Sequence, residues 1–201
     1  NRQKIGKLFR MEADLVHTIA VPAGVLRNGE NVLSILAPLE LDDVVLREII
    51  LDSRPVARAI SGASLEVKVV DERGGELPCR ITVVDQAGAL APILADTNSG
   101  ESARPLAIRP GVAYTGDGRA KFDLRPGKYS VFASRGFEYG VERREVVIGP
   151  NGVETVSMQL VREVRTPGWV SCDPHIHTFT HTRHGDATIE ERMLTIAGEN
   201  I

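Results

Sequence analysis

The sequence has little cysteine, no long apolar run and no marked excess of charge. Only two of its 201 residues are cysteine, Cys79 and Cys172, so two separate thiols are expected rather than a disulfide, and the redox compartment stays open. No apolar stretch approaches the ~20 residues of a membrane helix, so no membrane segment is predicted. A formal charge of −3 favours neither nucleic acid nor an anionic membrane as a partner.

The chain has no initiator methionine and no signal peptide, and it starts at Asn1 in the middle of a pattern. We therefore expect both ends to be cut, with any targeting signal lying upstream. The sequence does not identify the localisation, and a secreted or periplasmic location is compatible with it.

Turn-forming residues dominate what is present. Nineteen glycines, eleven prolines and few helical patterns predict a mainly β protein. In residues 1–58, apolar stretches at 16–21, 31–36 and 44–51 predict strands. The phrase at 21–35 is similar to late strands of galactose-binding-like jelly rolls. That resemblance implies the C-terminal part of a jelly-roll-like β-domain over 1–58.

The clearest alternation of apolar and polar residues lies in 59–165. About seven short strands separated by turn residues predict an antiparallel β-sandwich, transthyretin-like or Ig-like, over 63–162. Residues 86–116 break the pattern, which indicates a functional loop or a mobile insertion, and we favour the mobile insertion. The side chains expected to face the interior are Val67, Phe122, Leu124, Tyr129, Val131 and Met158.

Residues 118–129 carry a more specific signal, because Leu124-Arg125-Pro126-Gly127-Lys128-Tyr129 joins two strands through a Pro-Gly turn. This hairpin resembles the carboxypeptidase-regulatory-like, or transthyretin-like, module. In that module the hairpin is a packing signature without catalytic groups.

Four of the five histidines fall within ten residues: His175, His177, His181 and His184. The apolar stretch 168–172 predicts a strand leading into them. Residues two apart in a strand share a face, so His175 and His177 should project together, with Ile176 opposite. Two imidazoles on one face are half of a site for zinc, iron or manganese.

A helix is predicted after the histidines. Thr188 and Glu191 have the spacing of a capping box, and apolar residues then recur on one helical face as far as Gly198. The last residues therefore predict a strand, a histidine loop and a capped helix.

The phrase Asp173-Pro174-His175-Ile176-His177-Thr178, with the capped helix behind it, resembles the first motif of the PHP family. These are metal-dependent phosphoesterases built on a distorted (β/α)7 barrel, and the CehA/McbA-like branch of metallohydrolases is the most similar. The resemblance covers about residues 168–201. It implies that 166–201 is the first βα unit of a truncated barrel, whose remaining strands would be its partner.

The resemblance also implies roles for individual residues. His175 and His177 would bind divalent metal ions (zinc, manganese or iron), with His184 or Asp186 as a third ligand. Asp173 would orient a neighbouring group, and Arg183 would hold an anionic substrate. The implied activity is hydrolysis of a small-molecule or phosphoester substrate by metal-activated water. We expect this chain alone to be inactive, because later ligands are absent from it.

A second hypothesis belongs to a different class. In it, the β-domains are the working part, as a non-catalytic carbohydrate-binding or adhesion module.

Overall fold

Two β-sheets form the centre of the molecule. The computed structural model describes residues 3–8, 13–37, 39, 44–95, 105–183 and 185–201. The four-stranded sheet has the order β3-β6-β1-β9, and the five-stranded sheet has the order β4-β5-β2-β7-β8. The strands are β1 (Ala63–Val70), β2 (Cys79–Asp85), β3 (Leu94–Ala95), β4 (Leu106–Arg109), β5 (Val112–Thr115), β6 (Arg119–Leu124), β7 (Gly127–Ser134), β8 (Glu142–Ile148) and β9 (Val153–Gln159).

Among the described residues, all of the strand pairs are antiparallel except that of β1 and β9, which is parallel. The same part of the chain contains three short helices: α1 (Val56–Ala59), α2 (Phe179–Thr182) and α3 (Ile189–Gly198). The prediction of a mainly β fold with a sandwich is confirmed.

The core lies between the sheets and follows the alternation of the sequence. In β1 every second residue from Ala63 is buried and the residues between them are at least partly exposed, as a strand with one buried face requires. All six side chains predicted to face the interior are buried there: Val67, Phe122, Leu124, Tyr129, Val131 and Met158.

The connection from β6 to β7 crosses from the four-stranded to the five-stranded sheet, so the predicted hairpin is not formed. Its Pro-Gly-x-Tyr phrase nevertheless has a structural role. The Tyr129 hydroxyl donates to the Arg125 carbonyl oxygen at 2.8 Å, so the tyrosine spans the turn that precedes it. The Arg125 guanidinium donates to the Ala59 carbonyl oxygen at 2.6 Å and fixes the end of α1. Burial raises the pKa of Tyr129, because the anion would lose its solvation.

Residues 86–116 differ from their prediction. They contain β3, β4 and β5, and the β4–β5 hairpin closes through Pro110 and Gly111, whose φ is +68°. The two strands have only four residues each, too few for alternation to stand out in the sequence. The centre of the predicted insertion, 96–102, lies outside the described residues.

The strands predicted before residue 58 are absent from the described part of that segment. Leu15 forms one isolated bridge with Leu90, and no described residue from 3 to 58 is buried. A stretch with strand preferences forms a strand only where another strand supplies the hydrogen-bond partners. No described segment does so for 16–21, 31–36 or 44–51. The division into domains at 58 and 165 stays a prediction.

Candidate histidine site

The chain approaches the histidines as a segment without strand pairing, with a turn at 167–168. Residues 163–178 contain no strand, although 168–172 was predicted to be one. Trp169 is 80% exposed and Val170 is 90% exposed. The apolar composition of this stretch suggested a buried strand, but no neighbouring strand pairs with it. The predicted first strand of a barrel is therefore not formed.

Helix α3 begins as the sequence predicts. The Thr188 hydroxyl accepts from the Glu191 amide at 3.3 Å, and the Glu191 carboxylate accepts from the Thr188 amide at 3.0 Å. This reciprocal pair satisfies two of the amides left unpaired at a helix start. The bond from the Thr188 amide, followed by Arg109, lowers the pKa of Glu191.

Helix α3 lies on the outer face of the five-stranded sheet, meaning the side turned away from the core. It packs against β4, β5 and β2. Gly198 fits closely there, since a Cβ atom added to it would lie 2.7 Å from the Tyr114 ring and 3.0 Å from the Cys79 carbonyl oxygen. Ala107, on the outward side of β4, is fully buried. The sheet and the helix thus form one packed unit.

Polar contacts fix the helix along its length. The Glu199 carboxylate accepts from the Tyr114 hydroxyl at 2.9 Å and from Arg80 at 3.0 Å. Arg109 pairs with Glu191 at 3.2 Å. Burial, followed by the charge of Glu199, raises the pKa of Tyr114. Strand residues of the sandwich therefore help to position the segment that carries the histidines.

The structure brings His175 and His177 together. Their Nε2 atoms are 2.6 Å apart and their ring centroids 4.6 Å apart. At that distance the two Nε2 atoms form a hydrogen bond in which the ring tautomers decide which one donates. The Asp173 carboxylate accepts from the His175 amide at 3.0 Å, which holds the backbone just before the pair.

A pocket of about 310 Å³ lies beside the two rings. Its walls come from the histidine segment, from α3 and from Tyr114 of β5. Ile176, predicted to turn away from the histidines, lines the same pocket. Arg192 and Glu199 line it too, and no sequence pattern points to them, because only the docking of α3 brings them there.

The other predicted site residues are placed differently. The Asp186 carboxylate is 74% exposed and accepts from Arg192 at 2.8 Å. Arg183 is exposed and ends α2 with a φ of +54°, and His181 lies exposed on α2. His184 is outside the described residues. In the described part of the chain, no three His, Cys, Asp or Glu residues are grouped so that they could hold a metal ion.

The cysteines are both free. Cys79 is buried in the core and Cys172 is exposed. Burial raises the pKa of Cys79 to about 12, which keeps it a thiol and unreactive at neutral pH. None of the described helices has the length and apolar character needed to cross a membrane.

No family model matches this chain, and no curated protein matches it. Solved structures do resemble it. The minor pilin GBS52 of Streptococcus agalactiae is 18% identical with a TM-score of 0.38, over 56% of this chain and 49% of the pilin. The Bacillus anthracis TIE protein is 21% identical with a TM-score of 0.36, over 50% of this chain and 17% of that protein.

The pilus 2b backbone protein of group B streptococcus is a third such structure. It is 13% identical with a TM-score of 0.30, over 49% of this chain and 40% of the pilus protein. The chain thus spans about half or less of each protein it resembles. At these identities and TM-scores, the likenesses support no inference about function.

The family prediction is contradicted by two findings. No family model matches, and the predicted barrel strand at 168–172 is not formed. The assignment to the PHP family is wrong, and so is the metal-dependent hydrolase function that depended on it. The resemblance rested on about thirty residues, a length at which a short motif can recur without the fold around it. The metal-binding roles of His175, His177, His184 and Asp186, and the roles of Asp173 and Arg183, stay predictions.

Proposed function

We propose that the sandwich is a non-catalytic, adhesion-type module that contacts a protein partner through the outer face of its four-stranded sheet. The observation that carries this proposal is the asymmetry of the two sheets. Helix α3 covers much of the outer face of the five-stranded sheet, where Ala107 is buried. On the four-stranded sheet, the outward side chains of β1, β6 and β9 are exposed or half-buried.

This face is polar and its charges are ordered. Lys121 of β6 pairs with Glu66 of β1 at 3.2 Å, and the Ser64 hydroxyl donates to Asp123 at 2.5 Å. Exposed pairs of this kind add at most about 1 kcal/mol to stability. They do hold positive and negative groups in fixed positions. The outward polar side chains of the face are Ser64, Glu66, Lys68, Arg119, Lys121, Asp123, Thr155, Ser157 and Gln159.

A fixed arrangement of positive and negative charges suits a protein surface that carries the complementary arrangement. Such complementarity sets specificity and association rate more than it sets affinity. Three of these outward side chains are positive (Lys68, Arg119 and Lys121) and two are negative (Glu66 and Asp123), so their charges sum to +1. The partner surface should therefore present carboxylates opposite β1 and β6.

Retention of the labelled chain on an array of immobilised extracellular-matrix proteins and neutral oligosaccharides tests this proposal. We expect retention on one or more acidic protein spots, and a fall when salt is raised from about 0.05 to 0.5 M, because salt screens exposed charges. Retention no stronger than that of an unrelated β-sandwich on every spot would disprove the proposal.

A second candidate function is binding of a divalent metal ion by His175 and His177, which the convergence of their Nε2 atoms favours. Two imidazoles on a tetrahedral ion, each about 2.0–2.1 Å from it, place their nitrogens about 3.3 Å apart. The rings would have to separate by about 0.7 Å from their present 2.6 Å. Small rotations of two partly exposed side chains supply a movement of that size.

Replacing both histidines with alanine should lower the affinity for zinc or manganese at least about tenfold, since both ligands are lost. Calorimetric titration of the purified chain with each metal measures this. His181→Ala is the matched control, because His181 is an exposed imidazole in the neighbouring α2. Unchanged affinity in the double variant would remove the metal assignment. Two imidazoles fall short of a complete metal site, so we expect no phosphodiester turnover by this chain.

A further inference from the structure

A junction of polar contacts joins the end of α3 to the sandwich. Arg135, just after β7, donates to the Pro78 and Ala197 carbonyl oxygens at 2.5 and 2.6 Å, and to the Asn200 side-chain oxygen at 2.7 Å. Next to it Gly136 has a φ of +56°, and a Cβ atom there would lie 2.2 Å from the Glu199 carbonyl oxygen. The backbone of the helix end therefore rests directly on this loop.

Glu138 lies at the centre of the junction. Its side chain is only 5% exposed. The carboxylate accepts from the Asn200 side-chain amide at 2.6 Å, from the Arg162 guanidinium and from the Thr166 hydroxyl. Its backbone oxygen accepts from the Glu163 amide at 2.9 Å. One side chain thus connects the loop after β7, the segment after β9 and the end of α3.

We propose that Glu138 is a latch: as a carboxylate it holds the end of α3 on the sandwich, and its protonation releases the helix and opens the histidine pocket. Asn200, Arg162 and Thr166 all donate to it. A protonated carboxyl group is itself a donor and loses acceptor capacity. It also removes the counter-charge of Arg162, whose own side chain is 41% exposed.

The surroundings of Glu138 favour its ionised form. The Thr166 hydroxyl, followed by Arg162 and Asn200, holds the pKa of Glu138 below its usual range. Because the pKa of Glu138 is lower in the folded than in the unfolded state, its ionised form stabilises the fold above the unfolded pKa of about 4.3. This stabilisation by the ionised Glu138 is lost as the pH falls through the pKa of the folded state.

Other charged and titratable groups face the cluster from each neighbouring element. Arg135 and Arg162 lie over the Tyr139 ring, each 5.7 Å from its centroid. Glu72 accepts from the Arg162 amide at 3.0 Å. Asp71, Glu72, Arg73 and Arg165 line a pocket together with Tyr139 and Arg162. The Glu163 carboxylate lies beside Gly140, and that of Glu199 accepts from Tyr114 and Arg80.

The latch controls the pocket because α3 forms one of its walls. Thr195, Ile196 and Glu199 line the pocket from the helix, and Tyr114 lines it from β5. If the helix end leaves the sheet, the bond from Tyr114 to Glu199 is lost and the two walls separate. The histidine segment itself needs no rearrangement for the pocket to open.

Hydrogen exchange of Glu138→Gln tests the latch, since the amide keeps the shape but not the charge. We expect amides of 192–201 to exchange at least about tenfold faster at pH 7, while β1 and β7 stay protected. Glu145→Gln is the control: Glu145 also accepts from a serine and an arginine, but on β8 and away from α3. It should behave like the wild type.

Acidification of the wild type gives an independent readout if Glu138→Gln does not fold. Protection factors in 192–201 should fall at a higher pH than those of β1 and β7. Simultaneous loss in helix and strands overturns the proposal, because it indicates global unfolding. So does exchange of 192–201 in folded Glu138→Gln within twofold of the wild type.

Discussion

Replacing Phe122 with alanine should lower the free energy of unfolding by about 3–5 kcal/mol, the range for large aromatic residues in a core. Phe122 is fully buried in β6, where it pairs with Leu65 of β1. Its ring fills the space between the sheets, and the surrounding strands are fixed by hydrogen bonds. The cavity therefore cannot collapse fully. Urea unfolding followed by circular dichroism measures the loss.

The matched control is Phe137→Ala, because Phe137 is 73% exposed and its removal leaves no cavity. It should change stability by less than about 1 kcal/mol. Equal effects of the two substitutions would show that the side chain of Phe122 does not fill the core described above.

Replacing Gly118 with alanine should cost about 3 kcal/mol, for two separate reasons. Its φ is +76°, a conformation that disfavours any residue with a Cβ atom. The added Cβ would also lie 2.2 Å from the Val69 carbonyl oxygen and 2.8 Å from that of Leu77. Both oxygens are backbone atoms, and the first belongs to a central strand, so neither can move aside cheaply.

Gly74→Ala separates the two reasons. Gly74 has a similar φ of +81°, but nothing lies within 4 Å of the Cβ position. Only the backbone strain applies there, so the cost should be about 1 kcal/mol. Thermal unfolding of both variants gives the comparison. A Gly118→Ala protein as stable as Gly74→Ala would mean that the turn before β6 is not packed against β1 as described.

The interior of the sandwich could be predicted from the sequence because its strands bury one face only. In such strands the alternation of apolar and polar residues reports burial directly, as in β1 and in β6 around Phe122. The turn chemistry of Arg125-Pro126-Gly127 placed the end of β6 and the start of β7 correctly, but the two strands lie in different sheets and form no hairpin. The capping box of α3 is equally local, since Thr188 and Glu191 satisfy each other.

The predictions that were wrong concern segments in which strand formation depends on a pairing partner rather than on the local sequence pattern. The stretches at 31–36, 44–51 and 168–172 have the composition of strands, yet no described strand lies beside them. Conversely, β4 and β5 are too short to show a period, but they pair with each other around Gly111. Whether a segment forms a strand depends on a neighbouring strand that pairs with it, and the composition of the segment does not show whether such a neighbour exists.

The histidine site also contains residues that the sequence pattern indicates and residues that only the fold brings there. The closeness of His175 and His177 was predicted from their spacing of two in a strand, and it is present although the segment forms no strand. Tyr114, Arg192 and Glu199 reach the pocket only because α3 docks on the sheet, through contacts between residues far apart in sequence. Asp186 was proposed as a ligand from its position before the helix, but its carboxylate binds Arg192 of that helix.

The most direct test of the proposed function is a charge reversal on the four-stranded sheet. Lys68→Glu with Lys121→Glu changes two exposed amines on that face, and Lys128→Glu makes the same change on β7 of the other sheet. On array spots that retain the wild type, the double variant should bind at least about tenfold more weakly, and Lys128→Glu should bind within twofold of the wild type. Wild-type binding by the double variant, or an equal loss in Lys128→Glu, would contradict recognition by the four-stranded sheet.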